Sequence, residues 1–429
     1  MPSASGFCLR LCRLATRTCR RQRDPIALRC YVKSSVKLKD TKQGMAMAEE
    51  FEASQAAVLA PKGVADTGRP VGVSVGDPVR VVHDHADRIF SWRYERERPQ
   101  LVTLYNKASA SQWNSVTDLD WSVDVDPERV TDDEPPVLSL ARRAATIPGS
   151  PLAKWGEKQF TQLRVEMLKA QLSQFMHGEQ GAMMTAAKIV ETVPWIDAKY
   201  YAATQTMDEA RHTEVFARYL NEKVGDPYPM SPFLQGQIFG LLEDSRWDIA
   251  YLGMQIVIES LALAAFGELL RRTSEPLLAK LLRYVMSDEA RHVAFGIVSL
   301  NELYRGLSAA ELKERQEFLI DNTMRNRMRS TTPEVWETMG VSVEEVMPGL
   351  LQAAGEAGHG PFVAFQRAFF SKLVPNVRKL GLLDANDGYL RKQWAERGLL
   401  EFEHADDTSE DFESYDAVAA DRAAAMSVA

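Results

Sequence analysis

A chain of 429 residues, 45% hydrophobic and 26% charged, can bury a large core, and a single elaborated domain is expected. Its formal net charge of −8 is uneven: residues 1–44 hold 11 Lys/Arg against Asp24 and Asp40, leaving −17 for the remainder. So acidic a body argues against a nucleic-acid partner. No apolar run approaches the roughly 20 residues that cross a bilayer, so no membrane span is expected.

Residues 1–44 are Arg-rich and acid-poor, with Phe7, Leu11 and Leu14 on one weak helical face. They read either as an organelle transit peptide, which would make the protein mitochondrial, or as sequence upstream of a start at Met45 or Met47. The second reading, with a cytoplasmic location, is preferred. Cys8, Cys12, Cys19 and Cys30 all fall in this basic extension, so the body needs no disulfide, and their spacings fit no common zinc pattern. Residues 45–90 are expected to form a flexible arm, broken at Pro61-Lys62-Gly63 and Gly76-Asp77-Pro78, with His83 and His85 as exposed loop residues. Residues 91–150 mix Trp92, Tyr94, Trp113 and Trp121 with acidic turns and should wrap the helical bundle expected downstream.

The domain at 91–403 is predicted to be all-α, with a core bundle over about 155–330. Four segments carry helical periodicity. Leu168, Leu172, Phe175, Glu179, Met183, Ala186 and Val190 mark the first, and Ala198, Ala202, Gln205, Glu209, His212, Phe216 and Tyr219 the second. Leu252, Ile256, Glu259, Leu263, Phe266 and Leu270 mark the third, and Leu278, Leu282, Val285, Glu289, His292 and Phe295 the fourth. Beyond the bundle, 331–403 reads as further helices with a stripe of Phe362, Phe365, Phe369 and Phe370. His359, beside two glycines, reads as a cap or loop residue. The acidic, Ala-rich tail at 404–429 is expected to be disordered.

Asp208–His212 and Asp288–His292 both spell D-E-A-R-H, and each has a glutamate 30 residues before its own: Glu179 before Glu209, Glu259 before Glu289. On a helix, Glu-x-x-His projects both side chains from one face. Thirty residues of unbroken helix would hold paired glutamates about 45 Å apart, so the chain must turn back midway. The midpoints are Pro194 and Ser274, the first a helix breaker and the second a good N-cap ahead of Pro276. Four glutamates on core faces need a counter-charge. One Glu from each of two helices plus Glu-x-x-His from each of two others is the ligand set of carboxylate-bridged di-metal bundles. A lone D-E-A-R-H usually marks a solvated ion-pair face; two copies with matched turns outweigh that reading. Asp208 and Asp288 are expected to hold the ligand histidines, with Arg211 and Arg291 as ionic partners; the alternative is solvent-exposed charge. Gln205 and Thr206, one turn before Glu209, are the polar groups closest to the predicted site and its catalytic candidates; equally they bond only the backbone.

From these motifs onward the chain resembles the ferritin-like di-iron carboxylate oxygenase superfamily over roughly residues 90–330, in ligand spacing most like bacterial multicomponent hydroxylases and benzoyl-coenzyme A epoxidase. Gln112-Trp113-Asn114 and Thr117–Trp121 are similar to an element that precedes the bundle in such oxygenases. The resemblance implies a ferritin-like four-helix bundle with two irons, Mn/Fe being the alternative. Glu179, Glu209 and His212 would hold one ion and Glu259, Glu289 and His292 the other, with Glu209 and Glu289 bridging. It further implies O₂ activation by the reduced pair and oxygenation, by hydroxylation or epoxidation, of a small apolar organic substrate. Acyl desaturation and non-catalytic iron binding or oxidant scavenging are the alternatives. A separate reductase or ferredoxin must supply electrons, since the chain carries no flavin, nicotinamide or haem motif; the sequence leaves the oligomeric state open, with a homodimer as one candidate. Three positions depart from relatives: Phe216 where the ribonucleotide reductase small subunit has a radical tyrosine, Gly181 where related oxidases have a crosslinked valine, and Leu263 where hydroxylases have a threonine.

Overall fold

The computed structural model describes residues 79–327, 332–356, 363–406 and 416–428. The chain divides into two compact units, Met1–Val81 and Val82–Ala429. Only 79–81 of the first are among the described residues, so the basic extension, its four cysteines and most of the expected arm lie outside them. Among the described residues every helix belongs to the second unit.

Helices α1 (Pro99–Ala110) and α2 (Pro136–Ala145) lead into the long pair α3 (Glu157–Thr192) and α4 (Ile196–Tyr219). After α5 (Pro232–Glu243) comes the second pair, α6 (Trp247–Arg272) and α7 (Pro276–Tyr304). Six further helices flank the bundle: α8 (Ala309–Arg327), α9 (Pro333–Thr338), α10 (Val343–Glu356), α11 (Val363–Lys379), α12 (Ala385–Ala395) and α13 (Ala417–Val428). Among the described residues there is no strand, and the fold is all-α.

Both hairpin turns fall at the midpoints of the glutamate pairs. Val193, ahead of Pro194, is extended and ends α3, as the proline's ring demands. At the second turn the cap differs from expectation. Glu275, not Ser274, caps α7, accepting from the Leu277 and Leu278 amides at 2.8 and 2.7 Å, while Ser274 donates to Asp132. Glu275 stands directly before Pro276, the first residue of the helix, and its longer side chain reaches both free amides.

Apolar layers above and below fix the depth of the site. One layer joins Ile189, Tyr201, Ala202, Tyr251, Ile256 and Phe295. The other joins Phe175, Phe216, Phe266, Leu278 and Val285. On each bundle helix the predicted ligand falls between the two layers.

Helix α6 departs from the regular periodicity predicted for it. Leu252–Ile258 is a seven-residue π-helical segment, entirely buried, that delivers Glu259 at its end; such segments are frequent at functional sites. A methyl group on Gly296 of α7 would stand 2.5 Å from the Gln255 Cβ, so only glycine admits this segment so close. Trp247–Arg272 is also long and apolar enough to cross a membrane, against the sequence expectation. Within its most apolar stretch, 89% is buried inside the protein, so it is apolar all round because neighbours cover it on every side.

Two other expectations are corrected. Residues 416–428 are not disordered: Ala417–Val428 is helical, Val418 is buried, and Tyr284 donates to Asp421 at 3.0 Å. Alanine favours helix strongly enough that one buried anchor and flanking polar bonds suffice. Trp92 and Tyr94 do not wrap the bundle but are exposed, on a segment without regular structure, whereas Trp113 is buried. His83 and His85 are exposed; Phe369 and Phe370 are buried in the core, while His359 and Phe362 lie outside the described residues.

Candidate metal centre

Helices α3, α4, α6 and α7 bring Glu179, Glu209, His212, Glu259, Glu289 and His292 into one buried cluster. They form two overlapping groups, Glu179/Glu209/His212/Glu289 and Glu209/Glu259/Glu289/His292, each with its ligand atoms within 4.8 Å of one another. Glu209 and Glu289 belong to both, the placement of bridging ligands. His212 turns Nδ1 toward Glu179, Glu209 and Glu289 at 3.3, 3.3 and 3.1 Å. His292 turns Nδ1 toward Glu209, Glu259 and Glu289 at 3.2, 3.6 and 2.7 Å.

Electrostatics alone does not settle such a cluster. Burial, and then Glu289, push Glu179 well above the usual carboxylate range; burial and Glu289 do the same to Glu259. Burial also raises Glu209, but His292 and His212 outweigh it and hold that carboxyl low. In Glu289 burial and Glu209 are likewise overcome by the two histidines. Burial lowers both imidazoles, yet their carboxylate neighbours raise them well above the ordinary value. Even so, Glu209 Oε2 and Glu289 Oε1 are buried with no hydrogen-bond partner. Orphaned oxygens on the two shared glutamates, facing imidazole nitrogens, fit a pair of divalent metal ions. The six side chains are thus placed to hold a di-metal cofactor.

Protonation and metal binding therefore compete, and the sign follows from the shifts. Glu179, Glu259, His212 and His292 are raised above their unfolded values of 4.5 and 6.5, so in the metal-free protein their stabilisation is complete below those values. It is lost as pH rises through the folded values. Metal affinity moves the other way, because the ligands must be deprotonated. The difference in Tm between metal-loaded and metal-free protein should widen steadily from about pH 5 to pH 8. A difference independent of pH in thermal scans would contradict this.

Behind the ligands, the two motifs cross. His212 Nε2 meets Asp288 at 3.0 Å, and His292 Nε2 meets Asp208 at 3.4 Å, so each aspartate orients the histidine of the other motif. Arg211 bonds Asp208 at 2.5 Å and Asp288 at 3.2 Å, and Arg291 bonds Asp288. All four are buried, not exposed charges on a solvated face. The Trp113 indole donates to Asp288 at 2.8 Å and Gln112 donates to Asp208 at 2.7 Å. The pre-bundle segment thus closes the network, and the Arg422 side chain of α13 holds the Gln112 carbonyl at 2.7 Å.

Of the two catalytic candidates, the structure brings one to the centre. Gln205 is buried and donates to Glu209 and Glu259, both at 3.0 Å. Thr206 instead donates to the Ala202 carbonyl at 2.8 Å, a bond that commits its proton to the helix backbone. Gln255, which sequence reasoning missed, donates to Gln205 at 2.7 Å. Its signal was legible: a lone amide in the apolar run Leu252–Ile258, four residues before Glu259 as Gln205 is before Glu209. Phe216 packs against the contacting pair Phe175 and Phe266, its ring centroid 5.6 Å from each. Gly181 lets Ile238 approach to 2.7 Å of where a Cβ would stand, and Leu263 is buried apolar core.

One cavity of about 320 Å³ reaches the centre. Glu179 and Glu259, the two glutamates that are not shared, line it together with a mainly apolar wall.

No family model and no curated protein matches the chain. Solved structures do. A variant of an R2-like ligand-binding oxidase with anaerobically reconstituted Mn/Fe cofactor is 17% identical, covering 67% of this chain and 93% of its own, at a TM-score of 0.38. A second variant, with the same cofactor and preparation, is 16% identical over 67% and 94%, at 0.41. An aerobically reconstituted variant is 15% identical over 72% and 94%, at 0.37. In its own geometry, with one glutamate from each of two helices and Glu-x-x-His from each of two others converging inside a helical bundle, the chain has the architecture of the ferritin-like di-metal carboxylate superfamily.

Proposed function

We propose that this protein is an O₂-activating di-metal oxidoreductase that oxygenates, by hydroxylation or epoxidation, an apolar organic substrate held beside the metals. The observation that carries the reading is the mainly apolar cavity lined by Glu179 and Glu259, the two candidate ligands that belong to one group each. Two irons are the cofactor proposed, with manganese and iron as the alternative, because carboxylate and imidazole donors suit both. When bound, the pair supplies the redox chemistry that activates O₂.

The chain's own groups do the rest. Glu209 and Glu289, common to both ligand groups, would hold both ions. Asp288 and Asp208 fix the Nε2 protons of His212 and His292, which leaves each Nδ1 free to coordinate. Gln205 holds Glu209 and Glu259 in place and is itself oriented by Gln255. The two apolar layers and the cavity wall exclude water from the reacting centre. Electrons come from a separate reductase or ferredoxin.

The test is to load the protein anaerobically with ferrous iron, count the metal, then supply ¹⁸O₂, a reductant and a panel of apolar probes. Two metals per chain and a probe carrying one labelled oxygen are expected. Unlabelled product short of two hydrogens would replace oxygenation by desaturation, and O₂ uptake with no organic product would replace it by scavenging. A protein that takes up no stoichiometric metal would end the reading.

A further inference from the structure

The cavity carries one feature that the metal centre does not use: its wall includes an arginine, one of whose guanidinium nitrogens has no acceptor. Arg272, the last residue of α6, lines the same cavity as Glu259. Thirteen residues of helix set their backbones about 20 Å apart, and side chains lean toward the helix N-terminus, so the arginine leans back toward the metals. Met167, Phe175, Met254, Ile258 and Phe266 make the wall largely apolar.

The arginine is only half satisfied. Its Nε donates to Asp133 at 2.8 Å, and its side chain is 11% exposed where that of Asp133 is 62% exposed. Nη2 is buried and has no acceptor. Two carboxylates besides the metal ligands line the cavity, Glu268 and Glu334, and Glu268 is paired with Arg271. Among the described lining residues Arg272 is the only cation. An unfilled cationic donor in an apolar wall calls for an anionic acceptor, and guanidinium–carboxylate is the strong form of that bond.

We propose that Arg272 anchors the anionic head of an amphipathic organic acid, whose apolar body runs along α6 toward Glu179 and Glu259. That this acid is the substrate rests on the oxidoreductase reading; that it binds there does not. The position of Arg272 puts the head away from the metals, so the carbon presented to them belongs to the apolar body. A cavity of about 320 Å³ lies at the small end of ligand sites and suits a single ring carrying a short chain.

Calorimetry on the full chain tests this with phenylhexanoate, phenylhexanol and phenylhexylamine. Wild type should bind the acid about tenfold more tightly than the alcohol, and the amine more weakly than either. Arg272→Gln should bring the acid down to the alcohol's affinity and leave the alcohol unchanged, which also shows that the cavity has kept its shape. Arg272→Lys, which retains the cation without its planar fork, should keep part of the preference. Metal-free wild type should keep the preference as well, since Arg272 is no ligand.

A preference that survives in Arg272→Gln overturns the proposal. So does one that disappears with the metals and ignores Arg272, because the acid would then sit on the ions. Arg272-dependent binding in a protein without O₂ chemistry would sink the oxidoreductase reading alone. Labelled product with Arg272-indifferent binding would sink the anchor alone.

Discussion

Replacing Glu209 and Glu289 together by alanine should take metal content from two ions per chain to none. Both residues belong to both ligand groups, so each site is left with one glutamate and one histidine. Two donors hold a divalent ion far more weakly than four, and the lost carboxylates are the ones that neutralise the pair of cations. Glu179→Ala, by contrast, removes a ligand from one group only and should spare the other ion. Elemental analysis after reconstitution reads the result, and circular dichroism separates ligand loss from unfolding. A folded double variant that still holds two metals would show that these glutamates do not bridge.

The second large effect is expected at Asp288, which does not touch the metals. It accepts from the Trp113 indole, His212 Nε2 and Arg211, and it is paired with Arg291. Burial would raise its carboxyl, but Arg291, His212 and Arg211 overcome that and hold it far below the usual range. Asp288→Ala leaves Arg291, fully buried, without its charge partner. Breaking a buried pair in this way costs about 3–5 kcal/mol. It also frees the His212 ring, which should lower metal affinity about 10–100-fold. Asp208→Ala should cost less stability, because Arg211 still has Asp288. Urea denaturation of the metal-free variants, followed by metal titration, checks the ranking. Equal losses at the two positions would mean that Asp288 has no special place in the network.

The metal ligands could be read from the sequence because their geometry is local. Glu-x-x-His is one helical turn, and a hairpin equidistant from its turn needs only a breaker at the midpoint, which Pro194 supplies. What surrounds the ligands could not be read in the same way. Trp113 reaches Asp288 across 175 positions, and α13 holds the Gln112 carbonyl from 310 positions away. No periodicity links such residues. The crossing of the two motifs was hidden for a related reason: identical sequences give no sign of which aspartate meets which histidine. The tail misled because composition reports how readily a segment unfolds in isolation, not whether Val418 finds a core to enter. The π segment was missed because steps of three and four fit an α-helix equally well until the one wide turn is seen.

The exchange of aspartates between motifs bears on how the protein acquires its metals. Neither hairpin, α3–α4 or α6–α7, contains both a ligand histidine and the carboxylate that orients it. A half-built bundle therefore offers an ion only an unaligned imidazole and two glutamates. High-affinity uptake should begin only once the two hairpins have docked, so the first tightly held ion marks the end of assembly. Such an ordering would also keep metal off the unfinished chain.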